Sequence, residues 1–186
     1  MQGHLSVILA AVSAVLTFNM AAADEKPWEP IEAEQFRVDF APPGLDRGYF
    51  GKRDGLYGRQ FIGSWEAGNQ NAAVYVYELW PGYQPARAKD LEDTLASFKR
   101  FKNVKLKLLK EVKMRNALGR LTYQRFNTSR RSCFGFQQYY GMASGADNST
   151  GIRTNFLVGY YCAEAPVYDS TIQDVLSQIA LRDAGE

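Results

Sequence analysis

Of the 22 lysines and arginines in the chain, twelve fall within residues 99–131, where Glu111 is the only acid. The flanks lean the other way: residues 24–50 carry three basic and seven acidic side chains, residues 133–186 two and six. A formal net charge of +2 conceals this asymmetry. A surface built from such a stretch could hold anionic lipid headgroups, a phosphate-bearing polymer or an acidic partner protein, because an uncompensated local field gathers counter-charge. Lys105 and Lys107 should share one face of a strand, opposite Val104, Leu106 and Leu108. A neighbouring strand bearing Arg120 and Arg125 would extend the patch, with Lys110, Lys113, Arg130 and Arg131 completing it. The plainer alternative is a solvated face partly neutralised by the acidic segments. With so small a net charge, nucleic acid is not an expected partner.

A second group is aromatic. Gly48 to Arg59 mixes glycines with Tyr49, Phe50 and Tyr57, and Trp65 and Trp80 lie nearby in sequence. Tyr and Trp beside Arg can stack on sugars or cations or anchor an interface, so Tyr49, Phe50, Tyr57 and Trp65 are interface candidates. The alternative is a glycine-rich hairpin with ordinary strand aromatics. No phosphate loop is present, since neither G-x-G-x-x-G nor G-x-x-x-x-G-K-[ST] occurs.

Enzymatic routes are few. The single histidine, His4, lies in a segment expected to be removed, which excludes Ser-His-Asp and Cys-His catalysis and His-ligated metals from the mature chain. Two carboxylates can hydrolyse a glycoside without imidazole, and Glu66 and Glu78 are imaginable partners. No S-x-x-K occurs, and Asp90, Glu92 and Asp93 lack the turn glycine and distal Glu of a calcium loop. No catalytic residue, metal or cofactor is therefore assigned. Asn127-Thr-Ser129 and Asn148-Ser-Thr150 fit the N-glycosylation pattern.

These residues need elements to hold them. Leu5 to Phe18 is an unbroken apolar run leading to Ala21-Ala-Ala23, which reads as a secretory signal cut after Ala23. An uncleaved anchor is the alternative, since Leu5 to Ala23 would span roughly 28 Å as a helix. Export to the periplasm or beyond suits the two cysteines, Cys133 and Cys162, each in an aromatic strand-like run. Pairing the runs antiparallel with Cys133 opposite Cys162 puts the turn between Asp147 and Asn148, inside a polar stretch. A structural cross-strand disulfide follows.

An acidic extended lead-in (24–34) is expected before one α+β domain (35–182) and a short tail (183–186). Strands are expected at Phe36 to Phe40, on both sides of a turn at Lys52 to Gly55, at Ala72 to Trp80, at Val104 to Met114 and at Arg120 to Thr128. Ala88, Leu91, Leu95 and Phe98 fall at helical spacing and predict a helix from Ala86 to Phe101. Ser170 to Leu181 predicts a second helix, capped by Ser170 and Gln173, with Ile172, Val175, Leu176 and Ile179 buried. The expected fold is an antiparallel sheet of about six to eight strands with two amphipathic helices packed on it. This order of strands and helices resembles that of PsbP-like and Mog1-like α/β sandwiches, a likeness of architecture that carries no residue motif and implies no function. Function is read as that of an exported, non-enzymatic accessory domain docking to an anionic or acidic envelope partner through residues 99–131, with peripheral membrane association left open. The alternatives are a structural subunit of a larger envelope complex held by aromatic surface, and a histidine-free hydrolase of envelope glycans.

Overall fold

The computed structural model describes residues 26–81, 90–143 and 153–182. The signal segment, the turn expected at Asp147-Asn148, Ala86 to Lys89 and the tail lie outside the described residues. Eight strands form one antiparallel sheet: β1 (Glu29–Pro30), β3 (Gly48–Asp54), β4 (Gly58–Ala67), β5 (Gln70–Leu79), β9 (Arg153–Ala163), β8 (Ser132–Ala143), β7 (Gly119–Asn127) and β6 (Val112–Asn116), in that spatial order. A separate ribbon pairs β2 (Val38–Asp39) with β10 (Ala180–Leu181). Two α-helices, α1 (Leu91–Leu95) and α2 (Asp169–Ser177), complete the mixed α+β structure.

The centre of the sheet is the hairpin of β8 and β9, aligned so that Cys133 faces Cys162 across a disulfide, with Cα atoms 4.1 Å apart. The register expected from the aromatic runs holds from Ser132 to Tyr140 and slips before Ala143. Both faces of this hairpin are apolar and both are covered. On one face Phe134, Phe136, Leu157 and Tyr161 pack under α2 and the segment carrying Phe36, Val38 and Phe40. On the other, Cys133, Val158, Tyr160 and Cys162 pack under Leu91, Leu95, Phe98 and Phe101. Two-sided burial demands the near-continuous apolar runs that the sequence shows. Leu95 reaches the sheet because Gly135 has no side chain; a Cβ there would stand 2.6 Å from Leu95 Cδ1.

Several expected elements are displaced. The helix predicted to run through Phe101 ends at Leu95, and the chain continues in three-residue turns that still bury Phe98 and Phe101. Thr94 and Ser97 hydroxyls donate to the carbonyls of Asp90 and Thr94, offering the backbone an alternative to helical bonds, and Asn103 breaks the run at φ +66°. Asp90 caps α1 by accepting from the Asp93 N–H at 3.0 Å. The strand predicted from Val104 shortens to Val112–Asn116. Leu106 is buried in the second core and Leu108 half-buried against it, which draws residues 104–111 off the edge ladder; one bond remains nearby, from the Leu109 N–H to the Arg125 carbonyl at 2.7 Å.

Smaller corrections follow. Tyr168, not Ser170, occupies the N-cap of α2, and no side chain caps it. The predicted stripe Ile172, Val175, Leu176 and Ile179 is buried all the same. The β3–β4 turn lies beyond Asp54, not at Lys52 to Gly55. The described part of the acidic lead-in is not merely extended: it contains β1 on the β3 edge and a 3-10 turn at Ala33–Gln35 with a reciprocal Glu32–Gln35 cap.

Two predictions follow from this core. Replacing both cysteines by alanine should lower stability by about 3–4 kcal/mol through the loop they close, read by urea denaturation. Tyr140 is 2% exposed and its hydroxyl has no hydrogen-bond partner among the described residues. Burial, with the Glu78 carboxylate adding, pushes its ionisation above the usual tyrosine range against a pull from Arg37. The folded state therefore keeps a proton that the unfolded chain releases above about pH 10, so this contribution is fully present below that pH and is lost progressively as pH rises from there toward the raised folded value. Tyr140→Phe should match wild type or gain about 1 kcal/mol at neutral pH, and should lose less stability on alkaline titration.

Candidate functional site

The acidic residues neutralise one side of the molecule. Lys52 pairs with Glu29 at 3.4 Å, Arg37 with Glu78 at 2.8 Å, Arg59 with Asp54 at 2.8 Å, and Arg182 with Asp39. The hydrogen bond from Arg59 holds the Asp54 carboxyl below its ordinary range. All four cations border one cavity of about 500 Å³ beneath the lead-in. Glu29 of the lead-in thus meets Lys52 of β3, while Asp39, Asp54 and Glu78 take Arg182, Arg59 and Arg37; none of these four acids meets a cation of residues 99–131.

Strand alternation divides the basic stretch. On β7, Leu121 and Tyr123 face the α2 core, whereas Arg120, Thr122, Gln124 and Phe126 face the other way. Arg125 is five residues from Arg120 and lands on the α2 face, where it pairs with Asp169 at 3.5 Å and Tyr123 donates to the same carboxylate at 3.4 Å. The expectation that Arg120 and Arg125 extend one patch is therefore corrected: an odd separation along a strand puts them on opposite faces.

The remaining cations gather at two places. Arg100, Lys105, Arg130 and Arg131 line a cavity of about 600 Å³ at the disulfide end, together with Thr128 and Ser129. Asn127, the first residue of a glycosylation pattern, is exposed beside them. Arg120 lines a second cavity of about 570 Å³ near the β6–β7 turn, with Arg115, Thr122, Gln137 and Tyr139. Lys107, Lys110 and Lys113 are exposed outside both cavities. Lys105 and Lys107 do project away from Leu106 and Leu108, but Val104 is 47% exposed and does not share the apolar side.

Ion pairing within the stretch is sparse. Arg100 meets Glu66 at 3.2 Å, Lys113 meets Glu111 at 3.5 Å and Arg125 meets Asp169. Among the described residues, Lys105, Lys107, Lys110, Arg115, Arg120, Arg130 and Arg131 have no carboxylate partner.

Two residues of the disulfide-end cluster escape a sequence reading. Asn71, 2% exposed, lies between the guanidinium groups of Arg100 and Arg131; with its amide assigned so that the oxygen faces them, it accepts from Arg100 at 3.1 Å and from Arg131 at 2.5 Å and holds the two side by side. In the sequence Asn71 looks like a turn residue; the turn is Gly68-Asn69, and Asn71 sits in β5 opposite Cys162. Arg100 also lies against the Tyr160 hydroxyl, whose ionisation is raised by burial and partly restored by Arg100. Only the three-dimensional approach of residues 71, 100 and 131 marks this cluster.

The other candidates separate. Tyr49 and Tyr57 are about half exposed, and Leu56 between them is 71% exposed. Phe50 is half-buried, and Trp65 is 6% exposed, enclosed by the rings of Phe36, Phe40 and Phe50. Trp65 is thus a core residue and not an interface residue, because its even spacing from Phe61 on β4 puts both on the α2 side. Glu66 and Glu78 do not form a carboxylate pair. Their strand partners are Asn71 and Arg59, which places them seven steps apart along the β4–β5 pair, about 23 Å, and on opposite faces. Each is occupied by an arginine.

Among the described residues no helix is long and apolar enough to cross a membrane. Comparison with family models, with curated proteins and with solved structures found nothing that matches this chain.

Proposed function

We propose that this is an exported, non-enzymatic accessory domain that docks to an anionic or acidic envelope partner through the basic surface of residues 99–131, with Arg100, Lys105, Arg130 and Arg131 at its centre. The signal segment would be cleaved after Ala23, leaving one domain in the periplasm or outside the cell. The observation that carries this is the distribution of counter-charge. Cations beneath the lead-in are each paired, while of those at the disulfide end only Arg100 meets a carboxylate among the described residues, that of Glu66. Arg131, positioned by a buried amide, together with Lys105 and Arg130, has no carboxylate among the described residues and keeps its donors for an external anion. The disulfide beneath them and the buried Asn71 fix their spacing before any partner arrives. The likeness to PsbP-like and Mog1-like sandwiches stays one of element order and adds no function.

A second reading has its own observation. The β3–β4 hairpin tip exposes Leu56 and Tyr57, and Tyr49 is half exposed at the other end of β3, which suits a structural subunit held in a larger envelope complex by apolar contact. Salt distinguishes the two, since charge-mediated docking weakens with ionic strength and apolar contact does not.

The test is retention of the tagged protein on its native envelope fraction. Wild type should be held at low salt and released by high salt. The triple variant Lys105→Glu, Arg130→Glu, Arg131→Glu should lose at least about tenfold in retention at low salt, whereas Arg125→Glu, on the opposite face, should change it by less than about twofold. Retention of the triple variant at low salt would overturn the proposal; wild-type retention through high salt would favour the apolar hairpin.

A further inference from the structure

We propose that Arg115 and Arg120 form a binding site for a phosphoryl group, separate from the docking cluster at the disulfide end. The two arginines are direct cross-strand partners in the β6–β7 hairpin and project from the same face. Like charges directly opposite each other in a sheet are destabilising, with Cβ atoms only about 5 Å apart. Neither side chain has an ion pair or hydrogen bond among the described residues, so nothing among those residues offsets that repulsion.

Their surroundings supply donors and no carboxylate. The cavity of about 570 Å³ beside them is lined further by Thr122, Gln137 and Tyr139. The Gln137 side-chain carbonyl lies 3.4 Å from the Thr94 hydroxyl, whose proton goes to the Asp90 carbonyl at 2.8 Å, and the Gln137 amide N–H groups have no acceptor among the described residues. The Tyr139 ring is set against Phe156, with centroids 4.7 Å apart, and its phenol adds a further hydroxyl. Two guanidinium forks, two hydroxyls and an amide outnumber the lone pairs of one carboxylate. They suit a tetrahedral group with three free oxygens and nearly two negative charges, which is a phosphate monoester.

The hairpin is also held still. Asn116 and Gln138 exchange reciprocal amide hydrogen bonds at 2.9 and 2.8 Å, and Gln138 is 2% exposed. Asn116 further donates to the Leu176 carbonyl of α2 at 3.3 Å and accepts from the Leu118 N–H in the turn at 2.9 Å. The strand ends carrying both arginines are thereby tied to β8 and to α2, so the guanidinium pair is organised before a ligand binds. Docking through the disulfide-end cluster and phosphoryl binding here use different residues, so either can fail alone.

Inorganic phosphate is the probe, titrated into the full tagged protein purified from its envelope, with chloride at matched ionic strength as reference. Binding is read by calorimetry and by the thermal midpoint. Wild type should bind phosphate and gain midpoint over chloride. Arg120→Gln and, separately, Arg115→Gln should each weaken phosphate affinity by about tenfold or more. In chloride alone both variants should melt at or above the wild-type midpoint, because the repulsive pair is gone; this separates loss of the site from loss of the fold. The variant Arg125→Gln, on the opposite face and in neither cluster, should keep wild-type phosphate affinity within about twofold. Phosphate acting no differently from chloride, unchanged affinity in the hairpin variants, or equal loss in Arg125→Gln would each overturn the site.

Discussion

A sheet strand can bury both faces only when something covers each of them, and in this protein β8 and β9 meet that condition at the centre of an eight-stranded sheet. Cys133 and Cys162 join the pair on one side, while Phe134, Phe136, Leu157 and Tyr161 fill the other. The covering layers follow from that demand. The segment around Phe36 to Phe40 and the terminal helix close one side, and the short α1 with its trailing turns closes the other. Even the irregular stretch 104–111 is placed by this core, because Leu106 is drawn under it at the cost of edge pairing.

Charge is then sorted by the layers. The lead-in brings Glu29, and β2 brings Asp39, to the α2 side, where Lys52 and Arg182 receive them. The opposite side is covered by a basic segment, and the sheet beneath it contributes few acids. The result is one face with matched ion pairs and another with guanidinium and ammonium groups facing solvent. Exposed ion pairs of this kind contribute little to stability. Their consequence is for recognition: cations satisfied within the protein have little to offer a partner, whereas unpaired ones do.

The basic face is not a uniform strip. At the disulfide end, the buried Asn71 brackets Arg100 and Arg131; at the hairpin end, strand pairing sets Arg115 against Arg120. The first arrangement is stabilised by a neutral acceptor inside the protein, and the second is not. The two clusters therefore differ in how much each gains from an external anion. Asp169 removes Arg125 from either cluster, since its strand parity sends it beneath α2.

Much of the scaffold was legible from residue order. The aromatic runs around Cys133 and Cys162 predicted the hairpin, its register and its disulfide, because period-two alternation and turn chemistry act over a few residues. The buried stripe of α2 was legible for the same reason. The opposite faces of Arg120 and Arg125 were implicit in their odd spacing, although the basic stretch read as one patch conceals it. Tertiary contacts alone decided the rest. Helical periodicity from Ala88 to Phe98 cannot show that Thr94 and Ser97 divert the backbone, nor can alternation from Val104 show that Leu106 is worth more in a core than at a sheet edge. Trp65 looked like surface because burial depends on which layer covers β4. The proximity of Asn71, Arg100 and Arg131 has no local signature at all, since those residues come from three separate segments. Local sequence determines the period of each element and the charge it carries; which faces are covered, and which charges find partners, is set only when distant segments compete for the same core.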